Sequence, residues 1–203
     1  MNAAATAAGV TVRPVRPVDA AATVTLLDRL RVSLIGIHTP RLHHALVADG
    51  VAHRIDCRVA VDANDLRGVV LAAPRAYWKS ALLQHPLLAV ECLRARVIKP
   101  RSAGESAKLV EPAAVTFDAG DPRRTWTDPG DAWRIIFVGT APSARGRGVA
   151  ADLYKAVMRD RSLVARIATD NHASIRLHRS VGWRLYPDGD VVLAVHERRS
   201  ASS

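Results

Sequence analysis

Cysteine is scarce in this chain, with two residues in 203, Cys57 and Cys92. Their separation fits no zinc-ligand spacing, and two lone thiols make no disulfide framework. The fold must therefore rest on its core, and both thiols are expected to be buried and unpaired in a reducing compartment. Long apolar runs are lacking too. No stretch approaches the roughly 18–20 consecutive apolar residues that a membrane span needs. Met1 to Gly9 is alanine-rich but has neither a basic leader nor an apolar centre. It reads as a frayed tail rather than an export signal, which makes a cytoplasmic protein the default expectation. The two familiar nucleotide-phosphate loops are missing as well. There is no Gly-Lys-Ser/Thr ending, and no GxGxxG spacing.

Charge of one sign is plentiful. The formal net charge is +10. Such a balance attracts polyanions such as nucleic acid, anionic membranes or a phosphate-bearing small molecule. The arginines are spread along the chain rather than gathered in one stripe, and no nucleic-acid module is visible, so a nucleic-acid partner is not expected. The length suits one domain over residues 1–203, with 1–9 and 199–203 as disordered tails.

The most informative run is Arg145-Gly146-Arg147-Gly148-Val149-Ala150. An apolar strand, Arg134 to Thr140, precedes it, and Pro142 marks the strand's end. Helical spacing resumes at Val149, Leu153, Ala156 and Val157. A glycine-rich turn that opens a helix aims several free N–H groups at one spot. The helix dipole and two arginines add positive potential there. By itself the run reads equally as a flexible basic loop. A second feature follows about twenty residues on. Leu163 to Thr169 reads as a short strand, and Asp170 or Asn171 can cap a helix carrying Ser174, Leu177 and His178. That helix stops at Gly182. Trp183 opens another apolar run, and Pro187-Asp188-Gly189 turns it into Val191 to Val195 as a hairpin.

Taken together, these residues resemble the GNAT superfamily of N-acetyltransferases. The acyl-CoA signature, Arg/Gln-x-x-Gly-x-Gly/Ala after a strand, is met by Arg145, Gly148 and Ala150. The later signature, Asn-x-x-Ala-x-x-Leu-Tyr-x-x-x-Gly-Phe, reads here as Asn171, Ser174, Leu177, His178, Gly182 and Trp183. The resemblance covers residues 132–196; the N-terminal half matches only in element order. It implies an α+β fold, an α/β/α sandwich whose mixed, mostly antiparallel sheet is flanked by helices, with a helical insert before the cofactor strand. It implies acetyl-CoA as co-substrate. The phosphates would lie on the N–H groups of Arg145, Gly146, Arg147, Gly148, Val149 and Ala150. The pantetheine arm would run beside Val138, Gly139 and Thr140, and Asn171 and Ser174 would stand within reach. Glycine at 146 and 148 is expected because a Cβ there would intrude on the ligand.

One departure concerns catalysis. Where the family has a tyrosine that protonates the departing thiolate, this chain has His178. An imidazolium could do the same, or the ring could simply pack. For the amine's proton, the nearest acid to the cofactor strand is Asp131, then Asp128, with His172 a further candidate. The implied reaction is acetyl transfer to a primary amine of a small molecule, such as an amino sugar or an antibiotic. A peptide or protein amine stays open, as does a degenerate acyl-CoA-binding domain. Dimerisation through the C-terminal strands is also open.

The remainder of the chain reads as supporting structure. Val10 to Val18 is an edge strand. Asp19 caps a helix from Ala20 to Ile37 with Val24, Leu27, Leu30 and Leu34 on one face, and a short helix carries Leu42 and Leu46. His43 and His44 are expected in solvent. His53–Asp62 and Leu66–Ala73 form a hairpin, with a bulge at Gly68. Residues 75–100 are basic and amphipathic. They read as a helical pair capping the sheet, beside the alternative of a membrane-surface contact. Residues 102–131 are loop-like and acidic, able to overhang an acceptor site or to be plain surface.

Overall fold

The computed structural model describes residues 4–5, 9–32, 39–63, 65–91, 130–159 and 161–198. Thr11–Pro14 (β2) is followed by α1 (Ala20–Arg29), α2 (Pro40–Val51) and the hairpin β3 (Asp56–Asp62) and β4 (Asp65–Ala73). Next come α3 (Tyr77–Gln84) and a helical stretch over residues 86–91 (α4). After them come β5 (Trp133–Thr140), α5 (Val149–Met158), β6 (Leu163–Ala168), α6 (His172–Ser180), β7 (Arg184–Asp188) and β8 (Val191–His196). Ala4–Ala5 (β1) adds a two-residue strand to the outer edge, where the sequence led us to expect only a tail. The expected tail at 199–203 lies outside the described residues.

The strands form one sheet in the order β1-β2-β3-β4-β5-β6-β8-β7. Every neighbouring pair is antiparallel except β5 and β6. Residues alternate between the two faces, as the period of a strand requires. Val70 and Ala72 of β4 join one core with Leu153, Tyr154 and Ile175 of α5 and α6. Val69, Leu71 and Ala73 join the other, with Leu27 and Leu46 of α1 and α2. Gly68 to Ala73 are all buried, as expected of a central strand covered on both faces. The expected α/β/α arrangement is the one observed.

Several local expectations change. Helix α1 ends at Arg29 rather than Ile37, because Arg31 takes a positive φ of 50° and turns the chain. Asp19 makes no side-chain cap bond. Its carboxylate instead holds the Arg13 guanidinium (2.5 and 2.9 Å) and accepts from the Arg16 N–H, which keeps its pKa low. His43 is fully buried on α2, with Nε2 2.9 Å from the Val32 carbonyl, so only His44 of the pair is exposed. The hairpin bulge falls at Arg67, one residue before Gly68, since Ala60 faces Gly68 while Val61 faces Leu66.

The helical insert packs through Tyr77, Ala81 and Leu88 into the core beneath α1 and α2. A buried carboxylate anchors it. Asp49 on α2 accepts from the Tyr77 hydroxyl (2.6 Å) and the Arg54 guanidinium (2.9 Å) and lies 3.2 Å from His85 Nε2. Leu83, Leu87 and Val90 remain exposed on its outer side. No helix among the described residues is long and apolar enough to cross a membrane. Cys57 is buried and unpaired, and burial pushes its thiol up to about 12. Cys92 lies outside the described residues.

Helix α2 meets β3 where Gly50 faces Cys57. A Cβ on Gly50 would stand 2.4 Å from the Cys57 Cβ, which belongs to the backbone frame and cannot swing away. Gly50→Ala should therefore cost about 1–3 kcal/mol, the range for overpacking a filled core. Denaturant melts of the two proteins check this; equal midpoints would show that α2 has room to shift.

Candidate active site

β5 and β6 run parallel but pair only at Trp133↔Leu163 and Arg134↔Val164. Beyond these pairs β5 runs on to Thr140 and β6 to Ala168 without pairing, which leaves a gap between their carboxyl ends. Ligands of open sheets bind at such a parting. The lip of the gap is set by one extra residue. Trp133 donates its N–H to Ser162, on the β6 side, whereas Ala141 donates to Arg67, on the β4 side. Eight residues separate them, so an unbroken strand would turn both the same way. The register shows why it does not. Leu71 faces Phe137 while Ala72 faces Ile135, which leaves Ile136 as a bulge. After the bulge, alternation aims the N–H and C=O of Val138 and Thr140 into the gap. Gly139 turns the other way and pairs with Val69. Its lack of a side chain has a packing cause, since a Cβ there would lie 2.5 Å from the Phe137 ring and 2.8 Å from Leu30.

Past Thr140 the chain makes a short 3-10 turn, Pro142–Ala144, and then the exposed run Arg145 to Gly148. Gly146 and Gly148 have φ of +74° and +78°. Gly148 is the N-cap of α5 and offers no side-chain cap, so the first N–H groups of the helix point outward. Nothing lies within 4 Å of a Cβ at either position, and positive φ is what requires glycine. The space in front of the loop is open, the backbone donors face it, and Arg145 and Arg147 are exposed beside it. A phosphate group fits this cradle. Arg67 braces the loop from β4 through Ser143 Oγ (3.3 Å).

Because β5 and β6 are parallel, α5 and α6 both start at the wide end of the gap. Asn171 caps α6, accepting from the Ser174 N–H at 3.1 Å, and it is exposed. Ser174 is half-buried one turn along. The structure thus brings Val138, Thr140, the 145–150 loop, Asn171 and Ser174 around one opening.

The two expected catalytic residues are not part of it. His178 is 1% exposed. Its Nδ1 lies 2.8 Å from the Ser174 carbonyl, which can only accept, so Nδ1 carries the proton. Nε2 is then a bare acceptor, and it takes the Tyr154 hydroxyl at 2.8 Å. Burial lowers the pKa of the ring. Both nitrogens are thus used within the protein and none is left to protonate a thiolate. Asp131 is exposed ahead of Trp133, at the closed end of the gap. It stands five residues before the bulge, about 16 Å of extended chain. His172 is half-buried at the first turn of α6, and Asp128 lies outside the described residues. Tyr154 was overlooked in the sequence, although a tyrosine on the apolar stripe of a helix needs a partner for its hydroxyl. Among the described residues no group of three or more His, Cys, Asp or Glu could hold a metal.

With this geometry in view, comparison with known proteins is informative. Residues 113–183 match the sequence model of the acetyltransferase (GNAT) family. No curated protein sequence matches significantly. Solved structures do. A Corynebacterium glutamicum protein described as histone acetyltransferase HPA2 and related acetyltransferase is 18% identical, with a TM-score of 0.53 over 96% of this chain and 99% of that one. Arabidopsis thaliana NAA60 in complex with acetyl-CoA is 16% identical, with a TM-score of 0.54 over 93% and 98%. An N-acetyltransferase from Staphylococcus aureus is 14% identical, with a TM-score of 0.55 over 93% and 97%. At these identities the likeness is one of fold. Residues 113–183 thus carry the sequence pattern of the acetyltransferase (GNAT) family, and the chain as a whole shares the fold of such proteins.

The neutral imidazole carries a pH signature. Its pKa is lowered on folding, so below about pH 6.5 the unfolded chain binds a proton that the folded chain refuses. Stability present above that pH is lost as the pH falls through the window beneath it. His178→Gln keeps an acceptor for Tyr154 but cannot titrate. Its melting temperature should fall less than wild type's between about pH 7 and pH 5. Equal falls would mean that His178 is not the residue resisting protonation.

Proposed function

We propose that this chain is an N-acetyltransferase that moves an acetyl group from acetyl-CoA to a primary amine of a small molecule, such as an amino sugar or an antibiotic. The observation that carries the reading is one continuous rim. The free edge of β5 at Val138 and Thr140 leads directly into the left-handed Gly146 and Gly148 turn at the start of α5. An extended amide-bearing arm suits the first part and a pyrophosphate the second. Acetyl-CoA supplies its acyl group as a thioester.

The residues divide the work as follows. Arg145 and Arg147 attract the phosphates, and the N–H groups of residues 146–150 hold them, that of Arg145 being donated to the Pro142 carbonyl at 3.3 Å. Val138 and Thr140 align the arm as an added strand would, and the N–H at 138 is the donor placed to polarise an acyl carbonyl. Asn171 and Ser174 bound the opposite wall. Orientation of amine and thioester supplies much of the rate, about 7–11 kcal/mol in well-held pairs. Overall the amine gives up one proton and the departing thiolate gains one. Neither His178 nor Asp131 is placed to carry it, so solvent in the open gap is the carrier we assign. The unpaired thiol of Cys57 supports a cytoplasmic location, where a reducing environment keeps it so.

Calorimetric titration with acetyl-CoA tests the reading. Wild type should bind with micromolar affinity. Arg147→Glu, at an exposed residue with ordinary backbone, should weaken binding at least tenfold, about 1.4 kcal/mol, with an unchanged melting temperature. Gly148→Glu should abolish binding, and circular dichroism would confirm that it folds. Absence of wild-type binding would overturn the proposal. Thiol release during a screen of amines then separates small-molecule acceptors from peptide N-termini; turnover on peptides alone would replace the acceptor class.

A further inference from the structure

We infer that the Tyr154–His178 hydrogen bond sets α5 against α6, so that residue 178 positions the two walls of the acyl-CoA gap instead of donating a proton. The inference rests on the cofactor reading above. It starts from a mechanical problem. β5 and β6 part after two residue pairs, so no ladder fixes their separation at the wide end. The two helices that begin there must be held to each other in some other way.

Tyr154 lies about one and a half turns into α5, and His178 lies in the last turn of α6. Tyr154 is fully buried, His178 almost so, and their rings meet edge to face at 4.7 Å. Trp183 closes the group, 4.8 Å from His178 and 5.4 Å from Tyr154, and anchors its own Nε1 on Met158 Sδ of α5 at 3.1 Å. The polarity of each bond is fixed. The short contact of Nδ1 is with the Ser174 carbonyl at 2.8 Å, which can only accept, while the Ser174 hydroxyl stands farther off at 3.4 Å; Nδ1 therefore carries the proton, Nε2 presents a lone pair, and Tyr154 donates to it. Apolar side chains would fill the same space with a range of packings. A buried donor facing a buried acceptor tolerates one arrangement, because any slip leaves both unsatisfied. The constraint also reaches the gap directly. Ser174, whose carbonyl orients the imidazole, is itself held by the Asn171 cap, and Tyr154 sits on the helix whose first turn forms the phosphate cradle. Burial holds both groups neutral, raising the tyrosine and lowering the histidine.

The test uses the full chain. Tyr154→Phe removes the donor and nothing else. We expect it to fold, to bind acetyl-CoA about tenfold more weakly than wild type, and to show faster amide hydrogen exchange at residues 149–152 and 172–175. Nitrogen NMR of wild type should show His178 as a single Nδ1–H tautomer. His178→Gln, which retains an acceptor for Tyr154, should stay within a few-fold of wild type in both affinity and kcat, and His178→Leu should behave like Tyr154→Phe. Wild-type affinity and exchange in Tyr154→Phe would overturn the inference while leaving the functional reading intact. So would a hundredfold loss of kcat in His178→Gln at unchanged affinity, the signature of a proton donor. If Tyr154→Phe fails to fold, the contrast between His178→Gln and His178→Leu decides in the same way. If wild type binds no acetyl-CoA, the functional reading fails, and exchange at residues 149–152 alone decides whether the bond ties the helices.

Discussion

A strand that carries one residue more than its neighbour must bend and twist away from the regular sheet. In this protein that residue is Ile136, and its position decides what the rest of the molecule can do. It comes directly after the two pairs that join β5 to β6, so the strands separate where the bend begins. It also reverses which backbone groups face outward, handing the amides of Val138 and Thr140 to the gap.

Helices then finish what the strands begin. Parallel direction puts the starts of α5 and α6 at the same end of the sheet; α5 starts without a side-chain cap, whereas Asn171 caps α6. On the opposite face α1 and α2 make the second core, and the insert formed by α3 and α4 hangs from it through Asp49. The sheet thus has one end and face open at the candidate site, and another face given to support. The half of the chain that would shape an acceptor pocket is also the half without motifs.

What could be read in the sequence was local. The turn at Arg145–Gly148, the start of α5 at Val149, the Asn171 cap and the hairpin closing at Gly189 are each written in a few adjacent residues, because turn and cap chemistry acts over that range. The errors were of another kind. Nothing near Leu30 announces that α1 stops there. His178 occupies a motif position whose usual side chain reaches the ligand, yet its fate is decided by Tyr154, 24 residues away on another helix. Asp131 is near the cofactor strand in sequence and at the wrong end of it in space. Glycine at 146 and 148 was expected for the close approach of a ligand, and the structure adds a second demand, a left-handed backbone angle.

Under the proposed function the co-substrate is a thioester, and a buried thiol then takes on meaning. Any accessible cysteine thiolate would compete with the amine for the activated acyl group and trap it as a dead-end ester. Cys57, raised to about 12, has only about one thiolate in a hundred thousand molecules at neutral pH. Wedged behind Gly50 at 2% exposure, it is also out of reach. At this position the fold has made a sulfur nucleophile chemically silent, and a reactive acyl donor of the proposed kind would not be consumed by Cys57.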